Sequence, residues 1–217
     1  YLPVNYVVKS SNTGTNWLIK NYNYHYKFYD LHYRDQQNGL AVTDTGVIFK
    51  TTNNGLSWTK SFNNKTYKIN NINFINGNSG NAFGNYGKIL RTTNYGNNWT
   101  VSTSPTIKNL LVSKFVNSTT GYVVGNNSTV LKSTDLGNIW TIVPIPLSDS
   151  FNCIDLNFIN DNTGWVLAQR YYGYGYPVNI YYYNTKLIRT TNSGNSWQFL
   201  YDSTATNSSA YYYNWIK

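Results

Sequence analysis

Apolar residues in this chain come in short bursts rather than long stripes, and the bursts recur at fixed distances. One series follows a glycine: Leu40-Ala41-Val42 after Gly39, Asn81-Ala82-Phe83 after Gly80, Tyr122-Val123-Val124 after Gly121 and Trp165-Val166-Leu167 after Gly164. Six residues before each glycine stands an aromatic, Tyr33, Phe74, Phe115 or Phe158. A second series is an apolar pair closed by a base: Val7-Val8-Lys9, Ile48-Phe49-Lys50, Ile89-Leu90-Arg91, Val130-Leu131-Lys132 and Leu187-Ile188-Arg189. Runs this short, bounded by Gly, Asn, Asp and Ser, predict β-strands, and no segment of useful length shows a helical period. Between the two series lie Asp44-Thr45-Gly46, Asn85-Tyr86-Gly87 and Asn126-Asn127-Ser128, which is hairpin-turn chemistry.

Directly after each base comes a box of the form Ser/Thr-x-Asn/Asp-x-Gly-x-x-Trp, at 10–17, 51–58, 92–99, 133–140 and 190–197. Its invariant members are Asn12, Gly14 and Trp17; Asn53, Gly55 and Trp58; Asn94, Gly96 and Trp99; Asp135, Gly137 and Trp140; Asn192, Gly194 and Trp197. The Asn or Asp side chain is expected to accept a backbone hydrogen bond from two residues on, the Gly to supply a positive φ, and the Trp to anchor the core. These positions read as folding determinants rather than ligand sites. The box glycines at 14, 55, 96 and 137 are each 41 residues apart, and the gap from 137 to 194 is 57. One unit is therefore four short antiparallel strands, and four-stranded units of this period in tandem predict an all-β propeller forming one domain over 1–217.

The boxes resemble the Asp-box, or BNR, repeats of the sialidase superfamily. The fuller unit from Gly80 to Trp99, Gly-x-x-Phe-Gly-x-x-Gly-x-Ile-Leu-Arg-Thr-Thr-Asn-x-Gly-x-x-Trp, is most similar to propellers of the photosystem II stability and assembly factor type. The resemblance implies a propeller fold with structural boxes. It leaves function open, because Asp boxes occur in enzymes, receptors and assembly factors alike. The box at 10–17 brings only the third and fourth strands of its blade. The tail Ala210-Tyr211-Tyr212-Tyr213-Asn214-Trp215-Ile216 is expected to complete that blade and close a five-bladed ring, unless the chain is part of a larger propeller.

Composition narrows the chemistry. The net charge is +9, from 17 basic and 8 acidic residues, and every acid is an aspartate. Without Glu, and with only Arg34, Arg91, Arg170 and Arg189, the sialidase mechanism does not transfer, and no catalytic residue is assigned. The alternative is a glycoside-acting enzyme using paired aspartates such as Asp30 and Asp155, both nine residues before a unit glycine. His25, His32 and Cys153 form no metal or haem motif, so no cofactor or metal is expected, and Cys153 reads as a small buried side chain. The positive field favours an acidic protein or glycan partner, and scattered lysines with no recognition module argue against nucleic acid. The bases closing the third strands read as a solvated ring. No apolar run is long enough to span a bilayer. The lack of Met and the Asn-, Tyr-, Thr- and Ser-rich surface suggest a mature bacterial product, extracellular or on the cell surface, within a larger surface assembly.

Two aromatic segments break the repeat. Tyr22-Asn23-Tyr24-His25-Tyr26-Lys27-Phe28 reads as a linking strand. The segment 170–184 falls between the second and third strands of one unit, where the others have a three-residue turn. It is expected to project as a hairpin and to bind a partner through Arg170, Tyr171, Tyr172, Tyr174, Tyr176, Tyr181, Tyr182 and Tyr183, since tyrosines are rigid amphipathic contacts with low ordering cost. The leading reading is a non-enzymatic binding module, with the glycoside-acting enzyme and an assembly factor for a membrane complex as alternatives.

Overall fold

A computed structural model describes residues 5–10, 14–16, 18–22, 26–174 and 180–205, with the backbone alone for 5–9, 18–22, 172–174, 180–183 and 203–205. The described residues form four four-stranded antiparallel sheets and one two-stranded sheet. The small sheet pairs β1 (Asn5–Lys9) with β2 (Leu18–Tyr22). Blade 1 contains β3 (Phe28–Tyr33), β4 (Gly39–Thr43), β5 (Val47–Thr51) and β6 (Thr59–Asn63). Blade 2 contains β7 (Ile69–Phe74), β8 (Gly80–Gly84), β9 (Ile89–Thr92) and β10 (Thr100–Ser102). Blade 3 contains β11 (Leu110–Phe115), β12 (Gly121–Gly125), β13 (Thr129–Ser133) and β14 (Thr141–Ile142). Blade 4 contains β15 (Asn152–Phe158), β16 (Gly164–Tyr174), β17 (Ile180–Thr190) and β18 (Gln198–Ala205). The first strands pack in sequence, β3 on β7, β7 on β11 and β11 on β15, so the blades follow one another as a β-propeller. The tail expected to complete the N-terminal blade lies outside the described residues.

The spacing of aromatic and glycine has a steric cause. A Cβ on Gly39, Gly80, Gly121 or Gly164 would meet the ring of Tyr33, Phe74, Phe115 or Phe158 at 2.8, 2.7, 2.4 and 2.4 Å respectively. Each ring lies flat across the glycine of the neighbouring strand, where no side chain fits. Alternate positions of the second and third strands then face opposite neighbours. Leu40, Val42 and Ile48 of blade 1 pack with Ile72, Ala82 and Leu90 of blade 2, while Phe83 and Ile89 of blade 2 pack with Val123, Leu131 and Trp140 of blade 3.

The boxes differ from expectation in one detail. The Gly N–H donates to the opening hydroxyl of its own box, at 2.8 Å in Gly14–Ser10, 2.9 Å in Gly55–Thr51, Gly96–Thr92 and Gly194–Thr190, and 3.1 Å in Gly137–Ser133. Because the hydroxyl serves the near donor, the amide or carboxylate reaches four residues on: Asn53, Asn94, Asp135 and Asn192 accept from the N–H of Ser57, Asn98, Ile139 and Ser196, each at 2.9 Å. Trp58, Trp140 and Trp197 are buried and Trp99 is half-buried; Trp99, Trp140 and Trp197 lie at their blade's face toward the preceding blade, and Trp58 packs with Ala41, Val47 and Phe49 of its own blade. Trp17 and Asn12 lie outside the described residues. Gly55, Gly96, Gly137 and Gly194 are buried, whereas Gly14 is exposed.

Candidate functional site

The blades expose two different ends. At one, the box turns join the turns between first and second strands, through Tyr95 N–H to Asn78, Leu136 N–H to Thr119 and Ser193 N–H to Asn162 carbonyls. At the other, the start of each first strand is tied to the hairpin turn between second and third strands: the N–H groups of Asp44, Asn85, Asn126 and Ser128 donate to the carbonyls of Lys27, Lys68, Asn109 and Phe151. The blade 4 hairpin projects at this second end.

The bases at the box end are not the solvated ring expected from sequence. Lys50 Nζ donates to the Tyr95 carbonyl at 3.0 Å and to Asn97 Oδ1 at 2.6 Å, and Lys132 Nζ donates to the Ser193 carbonyl at 2.6 Å. Each reaches the box of the next blade. Burial holds both ammonium groups below the ordinary lysine range. Between blades 2 and 3 the same tie is made by a neutral group, Asn81 Nδ2 to the Gly137 carbonyl at 2.9 Å, beside Arg91, whose Nε is buried without a hydrogen-bond partner. Lys9 falls among the residues described by backbone alone.

Asp30 and Asp155 are not a free acid pair. Asp30 Oδ2 accepts from Asn71 Nδ2 at 2.6 Å and Ile72 N–H at 2.9 Å, and Oδ1 accepts from Leu31 N–H at 2.8 Å. Burial raises its carboxyl above the usual range against these bonds. Asn71, the same position one blade on, repeats the contact, accepting from Ser113 N–H at 3.0 Å. These side chains staple adjacent first strands. Asp155 Oδ1 accepts from Leu156 N–H at 2.8 Å.

At the hairpin end, lysine ammonium groups meet tyrosine rings, while Asp44 Oδ1 accepts from the Lys27 main-chain N–H at 3.0 Å. Lys68 Nζ lies 3.4 Å from the centroid of the Tyr29 ring and Lys27 Nζ 5.2 Å from it, while Lys88 Nζ lies 4.5 Å from the Tyr67 ring. A hydrogen bond and charge from Lys68 draw the Tyr29 hydroxyl below its ordinary value. Lys65 and Lys108, in the linkers between blades, are exposed at this end, as is the Tyr86 ring. Among the described residues none of these five lysines makes an ion pair. Sequence reasoning reached only Lys27, inside the aromatic segment 22–28 read as a linking strand, although Lys27 and Lys68 both stand twelve residues before a unit glycine.

The hairpin itself is regular. β16 and β17 stay in register from Gly164↔Thr190 to Tyr174↔Ile180, pairing Tyr171 with Tyr183, Tyr172 with Tyr182 and Gly173 with Tyr181. Tyr171 is 53% exposed. Tyr172, Tyr174, Tyr181, Tyr182 and Tyr183 are described by backbone alone, and Tyr176 lies outside the described residues. Arg170 is held back against its own blade: Nη1 donates to Ser150 Oγ at 2.7 Å and the guanidinium lies 5.5 Å from the Phe151 ring centroid. No group of metal-ligating side chains occurs among the described residues.

A model of the photosynthesis system II assembly factor YCF48 family matches residues 92–200. No curated protein matches the chain. Among solved structures, YCF48 from Cyanidioschyzon merolae is 14% identical with a TM-score of 0.65, over 90% of this chain and 66% of that one. A GH74 enzyme from Niastella koreensis is also 14% identical with a TM-score of 0.65, over 89% of this chain and 34% of the enzyme. YCF48 bound to D1 peptide is 14% identical with a TM-score of 0.49, over 80% and 82%. This chain thus spans 66% of the Cyanidioschyzon merolae factor and about a third of the enzyme, and the likeness to both is one of fold.

Proposed function

The chain belongs to the photosynthesis system II assembly factor YCF48 family, and from that premise we propose that it is a non-catalytic propeller that holds a protein partner while a membrane complex is put together. Family membership is the observation that carries this reading, since the match runs from the box of blade 2 through blade 3 to the start of the outer strand of blade 4, including the Tyr-rich hairpin. The uneven use of charge supports it. Box-end Lys50 and Lys132 are taken up by carbonyls of neighbouring blades, whereas hairpin-end Lys68 and Lys88 lie on tyrosine rings and make no ion pair among the described residues. The hairpin and the Tyr29–Lys68 corner, both at this end, then offer basic and aromatic contacts suited to a partner with acidic and aromatic groups. The GH74 likeness adds no catalytic reading, because Asp30 serves as a staple between blades. The exported, cell-surface location is retained within this proposal on composition alone.

The test is capture of membrane-complex subunits from a detergent extract of the source cells by the full chain, compared with a form in which 171–183 is replaced by Asn-Gly. Subunits of one complex are expected with the full chain and are lost with the shortened hairpin at unchanged melting temperature. Equal capture by both forms moves the contact surface away from the hairpin. Capture of no complex subunit removes the assembly reading.

A further inference from the structure

We propose that Asn76–Gly77, in the turn between the first and second strands of blade 2, is a modification site at which the protein exchanges a side-chain amide for a carboxylate by reaction with water. In this chemistry the main-chain nitrogen after an asparagine attacks the side-chain amide carbon, and a following glycine favours it because no Cβ obstructs the approach. Asn-Gly occurs three times in the chain, at 38–39, 54–55 and 76–77. The fold leaves one of them open. Gly39 is buried in β4 between β3 and β5, and Asn38 Nδ2 donates to both Asp35 carboxylate oxygens at 2.9 and 2.8 Å. Gly55 is buried, and its N–H is taken up by Thr51 Oγ1 at 2.9 Å. Asn76, Gly77 and Asn78 are exposed, and the Gly77 N–H makes no hydrogen bond among the described residues.

The turn also suits the charge that the reaction develops. Asn76 Oδ1 accepts from the N–H groups of Asn78 at 2.9 Å and Ser79 at 2.7 Å. Those donors meet the oxygen that becomes negative when Cγ is attacked. Arg34 lies alongside, its Nη1 donating to the Gly77 carbonyl and to Asn78 Oδ1, each at 3.4 Å, so a positive charge stands near the developing oxyanion. The same turn recurs once per blade at Asp35, Asn117 and Asn160, each accepting from the N–H groups two and three residues on. Asp35 has no amide to lose, and Asn117 and Asn160 are followed by Ser118 and Asp161, whose side chains hinder the attack. The Gly77 nitrogen gives its proton to hydroxide and bonds to Asn76 Cγ, the Cγ–Nδ2 bond breaks, and Nδ2 leaves as ammonia. Water then opens the cyclic imide. Addition at Cγ gives aspartate, a carboxylate in the turn that already holds one at Asp35. Addition at the main-chain carbonyl gives isoaspartate, which lengthens the main chain by one carbon and displaces Asn78, whose carbonyl accepts the Tyr95 N–H at 2.8 Å. Either product adds a negative charge beside Arg34. The site depends neither on the hairpin surface nor on the assembly reading.

The test holds the full chain at pH 8 in heavy-oxygen water, digests it in ordinary water so that only conversion during incubation is counted, and follows the three Asn-Gly peptides by mass spectrometry. In the folded protein, position 76 is expected to gain the label at least about tenfold faster than positions 38 and 54. In urea the three should convert at similar rates. Gly77→Ala, whose added Cβ has Arg34 Cδ at 3.7 Å as its nearest neighbour, should melt as the parent does and lose the conversion at 76. The proposal is overturned when Asn76 keeps its amide, when Asn38 or Asn54 converts as fast in the folded protein, or when Gly77→Ala converts at the parent rate. A lead for position 76 that persists unchanged in urea also overturns it, because local sequence and not the fold then sets the difference.

Discussion

Gly137→Ala combines two penalties that the structure places at one atom. Gly137 has φ +71°, and a Cβ there would lie 2.0 Å from Asn81 Oδ1 on the preceding blade. Holding a residue with a Cβ in the left-handed region costs about 1–2 kcal/mol. Relieving the clash swings the Asn81 amide away, breaking its 2.9 Å bond to the Gly137 carbonyl in a buried setting, a loss of about 1–3 kcal/mol. The sum is about 2–5 kcal/mol, or a fall in melting temperature of about 4–20 °C for a domain of this size. Asn81→Ala alone forfeits the hydrogen bond, for about 1–2 kcal/mol. In the double variant the clash is gone and the bond is lost only once, so the combined cost should be smaller than the sum by about 1–3 kcal/mol. Calorimetric or denaturant unfolding of the four proteins measures this, with Gly77→Ala as control, since the nearest atom to its added Cβ is Arg34 Cδ at 3.7 Å. Additivity within about 0.5 kcal/mol would refute the tie between blades 2 and 3.

Two other outcomes follow from titratable groups. Asp35 is held down to about 2, chiefly by the Asn38 and Gln37 N–H groups and the Asn38 amide, with Arg34 beside it. Because its folded pKa lies below its unfolded value, its stabilising contribution is complete above pH 3.8 and is lost as pH falls through about 2; Asp35→Asn should flatten that acid limb, and an unchanged slope would discount these bonds. Cys153 is fully buried and burial pushes its thiol up to about 12, so a disulfide reagent at pH 8 should modify it only as the protein unfolds, and labelling at the rate of a free small thiol would contradict its burial.

The blade was legible because its code is local. A glycine, a ring six residues before it, an apolar pair and a box each solve a problem inside one unit, and their 41-residue spacing repeats the solution. What escaped is the code between units. Nothing along the chain shows that Lys50 answers Tyr95, that Lys132 answers Ser193, or that Asn81 replaces them between blades 2 and 3, because each partner lies on the next blade. The same holds for Asp30, whose role as a staple appears only once Asn71 and Ile72 stand beside it. The projecting hairpin was legible as surplus length, since one unit carries 57 residues between box glycines where others carry 41. The Tyr29–Lys68 corner was not, because a lysine in a turn has no signature until a ring is found beneath it.

The two ends of the propeller dispose of positive charge by different means, and this gives the net +9 a direction. At the box end, an ammonium bound to a carbonyl of the next blade is partly desolvated and committed to holding blades together. At the hairpin end, Lys68 and Lys88 rest on tyrosine faces. A ring steadies a cation without cancelling it, as a carboxylate would. The lysines at the hairpin end therefore keep a charge that reaches solution, and at physiological salt its field extends about 8 Å. That range is short enough to leave the final fit to side-chain contact, yet long enough to turn an approaching acidic surface toward the tyrosines. The Tyr-rich hairpin projects at that same end, so under the proposed function charge and aromatic contact would share one face of the propeller.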